Sequence, residues 1–101
     1  MPTIKVSAET RLSPKESFER VSRLFENDKE LRKLDSELKC NFDPSSLSGT
    51  AQGKQFKAEM NVRPSAQGSS VELKVDLPFH LSLVKGMVQK TLEKKLSSAL
   101  A

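Results

Sequence analysis

The chain has 101 residues, of which 36% are hydrophobic and 30% charged, and a formal net charge of +4. That length makes one ordinary domain able to bury roughly two-thirds of its unfolded surface, and the periodic spread of its apolar residues argues against disorder. Cys40 is the only cysteine, which excludes an internal disulfide; with no apolar run long enough for an export signal or for the ~20 residues of a membrane span, a soluble cytoplasmic protein is expected.

In chain order, Ile4 and Val6 alternate with Lys5 and Ser7 and predict a first strand over residues 3 to 8. Ser13-Pro14-Lys15-Glu16 is a helix start, with Ser13 as N-cap, Pro14 at the first helical position and Glu16 placed to return a bond to the Ser13 backbone. Phe18, Val21, Leu24 and Phe25 form the apolar stripe of that helix, which should end near Asn27. Asp28 is placed to cap a second, short helix carrying Leu31 and Leu34.

Leu38, Cys40 and Phe42 then alternate with Lys39 and Asn41 before the turn Asp43-Pro44-Ser45-Ser46. Leu47, Gly49 and Ala51 continue as a third strand, and Gly53-Lys54 interrupts it. Phe56, Ala58, Met60 and Val62 are the inward residues of a fourth strand, joined through the five residues 64 to 68 to a fifth that begins near Ser70. In that fifth strand Val71, Leu73, Val75 and Leu77 face one way and Glu72, Lys74 and Asp76 the other. Beyond Pro78, Leu81, Val84, Val88, Leu92 and Leu96 recur at helical spacing and predict one long helix running to the C-terminus, laid across a one-sided sheet.

The residues that could carry chemistry are few. His80 is the only histidine; as a general base it would need a positioned nucleophile and an orienting acid, and no G-x-S-x-G motif is present, so a hydrogen-bonding role at the helix start is the favoured reading. Cys40 has no base or second cysteine near it in sequence and reads as a small core residue. One Cys and one His are too few for a zinc site, and no calcium loop is present. Gly53-Lys54 lacks the spacing of a phosphate loop. The absence of Tyr and Trp weighs against a base-stacking platform for nucleic acid. No catalytic residue, metal or cofactor is therefore assigned.

The segment Val71-Glu72-Leu73-Lys74-Val75-Asp76-Leu77-Pro78, followed by Lys85-Gly86-Met87-Val88 and by Leu92 and Leu96, resembles the end of the polyhydroxyalkanoic acid system protein family. The element order is similar to a compact START-like, or helix-grip, architecture. The resemblance implies a single α+β domain over residues 1–101, with the order β-α-(short α)-β-β-β-β-α and an antiparallel sheet gripped by the C-terminal helix. It also implies a non-enzymatic accessory protein of the polyhydroxyalkanoate storage system that binds an apolar acyl ligand or a polyester granule surface.

In that frame the small or flexible side chains of Gly49, Ala51, Ala58 and Met60 are the candidates to line a pocket. Gly86, Val88 and Leu92 are the candidates for helix-sheet packing. A glycine inside a helix costs ~1 kcal/mol relative to alanine, so Gly86 is expected to be pressed against the sheet, with simple tolerance as the alternative. The competing functional reading is a basic module that contacts nucleic acid or an acidic protein through Lys85, Lys90, Lys94 and Lys95, cations that would equally complement the negative end of their own helix.

Overall fold

The computed structural model of the chain describes residues 3–101, except for the side chain of Leu34, so the expected Leu31/Leu34 stripe lies partly outside the described residues. The elements are β1 (Thr3–Thr10), α1 (Pro14–Asn27), α2 (Lys29–Leu34), β2 (Lys39–Asp43), β3 (Ser48–Gln52), β4 (Lys57–Ser65), β5 (Gly68–Asp76), a 3-10 segment (Phe79–Val84) and α3 (Lys85–Ala99). This is the expected α+β order.

Both early helices start where their caps place them. Ser13 Oγ accepts the Glu16 N–H at 3.2 Å, with Pro14 opening α1. The expected return bond from Glu16 is replaced by an ion pair, because its carboxylate takes the Arg20 Nε–H at 3.0 Å one turn further on. Asp28 accepts from the backbone of Glu30 and Leu31 at 3.0 and 3.1 Å, and opens α2.

The five strands form one antiparallel sheet in the order β1-β5-β4-β3-β2. Residues 39 to 76 are a meander, and β1 closes it by pairing Thr3 with Asp76 through Thr10 with Ser69. Strand alternation sorts the faces. Ile4, Val6, Ala51, Ala58, Met60, Val62, Val71, Leu73 and Val75 are buried, while their neighbours Lys5, Thr50, Lys57, Glu59, Asn61, Glu72 and Lys74 are exposed. α1 crosses the buried face over β2 to β5, and α3 lies over β1 beside α1. Phe18, Val21 and Phe25 of α1 meet Leu92 and Leu96 of α3 in the same core.

β1 runs on to Thr10, past its expected end at residue 8, and two boundaries differ more from the sequence expectation. The link between β4 and β5 is a two-residue turn, Ala66-Gln67, instead of five residues, since Pro64 pairs with Ser69 and Ser65 with Gly68. Pro64 is tolerated because Val62 donates its N–H towards Leu47 of the chain leading into β3; two residues on, the nitrogen of Pro64 points the same way, past the end of β3, where no acceptor is required. Gly68 permits the early start of β5: it adopts φ 157°, and a Cβ there would lie 2.5 Å from the Thr10 carbonyl oxygen. The second difference follows Pro78. The expected single long helix is a 3-10 segment with no buried side chain, followed by α3 from Lys85.

A buried serine pair ties α1 to β5. Ser69 Oγ donates to the Leu12 carbonyl at 2.8 Å, which uses its one proton, so Ser17 must donate in the 2.6 Å contact between the two hydroxyls.

Candidate functional site

The space between the sheet and the first half of α3 is the place where a ligand could sit. The ends of α1 and α2 supply Phe25 and Leu31, the chain that follows α2 supplies Asp35 and Leu38, and β3 to β5 with their links supply Ala51, Phe56, Ala58 and Val75; Val88 and Leu92 of α3 form the roof. These residues line a cavity of about 50 Å3. The floor is low because Ala51 and Ala58 face each other across β3 and β4, and two methyl groups fill less than the branched side chains on β5.

Asp35 is the one ionisable group in this lining, and its carboxylate is already committed. It accepts backbone N–H bonds from Gln55 at 2.8 Å, Phe56 at 3.3 Å and Glu37 at 3.1 Å. The Gln55 amide, helped by the other backbone amides, holds the carboxyl below its usual range against the opposing effect of burial. Asp35 thus caps the β3–β4 turn, and Gly53 is required there because a Cβ would collide with the carboxylate. Sequence reasoning missed this link between α2 and a turn about twenty residues later; the only signal was a lone Asp before a strand and a Gly in the turn.

The structure brings the four pocket candidates together in β3 and β4, with Gly49 opposite Met60 and Ala51 opposite Ala58. It does not put all four at the larger cavity. Ala51 and Ala58 reach it, whereas Gly49 and Met60 line only a void of about 10 Å3 that Phe42 and Phe25 close. A Cβ on Gly49 would meet the Phe42 ring at 2.5 Å, so the missing side chain makes room for an aromatic ring. Phe42 in turn stands edge-on to Phe18 with centroids 6.2 Å apart.

Of the packing candidates, Leu92 is buried and Val88 packs partly against the core. Gly86 is a correction: it is exposed and nothing lies within 4 Å of the position its Cβ would take. The 3-10 segment starts the last helix off the sheet, so the apolar stripe touches the core only from Val88 onwards, and Val84 is exposed.

Cys40 is half-buried on the inner face of β2, where burial raises its thiol pKa above the usual value. His80 is exposed in the 3-10 segment. Among the described residues no group of three His, Cys, Asp or Glu is placed to hold a metal.

The four lysines of the basic reading do not share one face. Lys95 is taken by Asp28 at 2.8 Å and Glu30 at 3.5 Å, and these contacts, the Asp28 bond first, raise its pKa. Lys94 faces a groove with Arg20 and Arg23 between α1 and α3, while Lys85 lies at the far end of the helix.

No protein-family model matches the sequence, and no curated protein does, so the likeness to the polyhydroxyalkanoic acid system family stands on the residues quoted for it. Solved structures do match. The Thermus thermophilus protein TTHA0849 superposes with a TM-score of 0.61 at 13% identity, over 98% of this chain and 94% of its own. A START superfamily protein from Mycobacterium smegmatis gives 0.56 at 16% identity, over 97% and 93%. The di-domain ARO/CYC protein BexL of the BE-7585A biosynthetic pathway gives 0.69 at 11% identity, over 99% of this chain and 45% of that one. At such identities the likeness concerns the fold alone, and with the sheet order and the placement of α3 it establishes that the chain has the START-like, helix-grip architecture.

Proposed function

We propose that the chain is a non-enzymatic accessory protein that binds an apolar acyl chain between its sheet and α3, with the hydroxyacyl units of the polyhydroxyalkanoate storage system as the ligand class. The observation that carries this reading is the cavity beneath Val88 and Leu92, whose lining is apolar apart from an Asp35 carboxylate already engaged by three backbone amides. Such a lining offers burial and no base or nucleophile, which favours binding over turnover. The hydroxyacyl class comes from the terminal-segment resemblance, and the START-like fold supports a ligand held under the last helix.

At about 50 Å3 the cavity is well below the ~300 Å3 of a typical small ligand site, so binding requires the Val88 end of its roof to lift. The lead-in to that end, the uncapped start of α3 ahead of Val88, is the part least attached to the core, whereas Leu92 stays packed. Calorimetric titration with 3-hydroxyacyl chains of increasing length tests the reading: affinity should rise with chain length, with a negative heat-capacity change. Ala58→Leu and Ala51→Val, which fill the floor, should each weaken binding. Absence of heat with every chain length, or filled variants that bind as well as the parent, would remove the proposal.

A further inference from the structure

We propose that the tip formed by the 3-10 segment and the first turn of α3 is a docking element for an anionic lipid surface, into which Phe79, Leu83 and Met87 insert. Among the described residues the large apolar side chains exposed to solvent are Phe79 at 72%, Leu83 at 97%, Val84 at 37% and Met87 at 69%. All fall within residues 79 to 87, an exposed apolar cluster on the 3-10 segment and the first turn of α3, separate from the stripe that reaches the core. Folding does not account for them, since no side chain of the 3-10 segment is buried.

Charge selects the occupant. Residues 77 to 92 contain no Asp or Glu but carry Lys85 and Lys90, both exposed. An apolar tip flanked by cations is the pattern of interfacial segments that seat apolar side chains at the acyl boundary and lysines among anionic headgroups. A two-fold contact between copies would bring these lysines towards their own equivalents, with no carboxylate in the stretch to neutralise them. No helix is long and apolar enough to cross a membrane among the described residues, so the contact is interfacial. Phe79, Leu83 and Met87 do not line the cavity; the inference is independent of the acyl-ligand reading.

Co-sedimentation of the purified protein, without acyl ligand, with vesicles of phosphatidylcholine alone and of phosphatidylcholine mixed with phosphatidylglycerol tests the proposal. The protein should bind the anionic vesicles more tightly than the neutral ones and lose that preference as salt is raised. Leu83→Glu and Phe79→Ser should each lower the partition constant about tenfold, and Lys85→Gln about fivefold on anionic vesicles only. These side chains are exposed, so the thermal unfolding of the variants should match the parent and exclude misfolding as the cause. The proposal is overturned if the parent stays in the supernatant, if Leu83→Glu binds like the parent, or if the two vesicle types bind equally. A concentration-dependent dimer that Leu83→Glu abolishes would overturn it as well, by assigning the tip to a second copy.

Discussion

The two ends of the last helical region obey different constraints. From Val88 onwards, Leu92, Leu96 and Leu100 are buried every fourth residue against β1 and α1, and Lys95 fastens the same half to Asp28. From Phe79 to Met87 apolar residues are as frequent, yet they face water, and α3 begins at Val84 without a side-chain cap and with no acid in its first turn. One half is held by packing and the other by little beyond backbone hydrogen bonds, so apolar content alone does not say which half belongs to the core.

Substitutions can break that contrast, and the largest effect belongs to the packed half. Leu96, fully buried, should lose about 2 to 5 kcal/mol on replacement by Ala through lost burial and cavity formation, measured as a shift in urea midpoint at constant m-value. Asp28→Ala should cost about 1 to 2 kcal/mol, combining a helix cap with a partly buried ion pair. Burial works to raise the Asp28 pKa, but the Lys95 ammonium and the Leu31 and Glu30 amides outweigh it and hold it below the ordinary value. A lowered carboxyl pKa stabilises above the unfolded pKa of ~3.9 and ceases to do so as pH falls through the folded value. The stability gap between parent and Asp28→Asn should therefore be full at neutral pH and close in acid; a gap independent of pH would mean that the pair contributes nothing.

The loose half should respond in the opposite sense. Gly86→Ala should stabilise by up to ~1 kcal/mol from helix propensity alone, because nothing lies near its Cβ position. A destabilised variant would place Gly86 against a neighbour. Smallest of all, Leu83→Ser should leave the midpoint within about 0.5 kcal/mol of the parent, as for other surface substitutions. A larger loss would show that the tip packs in solution.

Much of the fold is legible in local signals. Ser13-Pro14, Asp28 and the strict alternation in β4 and β5 each declare an element through chemistry confined to a few neighbouring residues. Both helix starts are found where their caps put them, and both strands face as the alternation says while running on to the Ala66-Gln67 turn. Errors arise where a distant partner decides. Gly49 reads as free space until Phe42, from another strand, is seen over it, and no local signal ties Asp35 to the Gln55 and Phe56 amides that converge on it. Gly86 is misread because Leu81 and Val84 fit the core stripe of an α-helix, whereas the chain there winds as a 3-10 segment that starts α3 off the sheet. Periodicity does not tell a 3-10 lead-in from an α-helix, and it does not give depth either: cross-strand pairing sets Ala51 opposite Ala58, but depth below the helix depends on tertiary placement.

The pairing of β1 with β5 also sets the order of assembly. Thr3 finds its partner in Asp76, and Thr10 Oγ1 donates to the Leu100 carbonyl, so the first strand has no neighbour until most of the chain is available. The meander of residues 39 to 76 can zip through short turns, whereas β1 must close a loop of about seventy residues, an entropic charge recovered only when α3 settles over it. Folding of this domain should consequently be limited by the late capture of β1, slower than its length and helix content would imply, and on the ribosome the first strand should wait unpaired until the fifth has emerged.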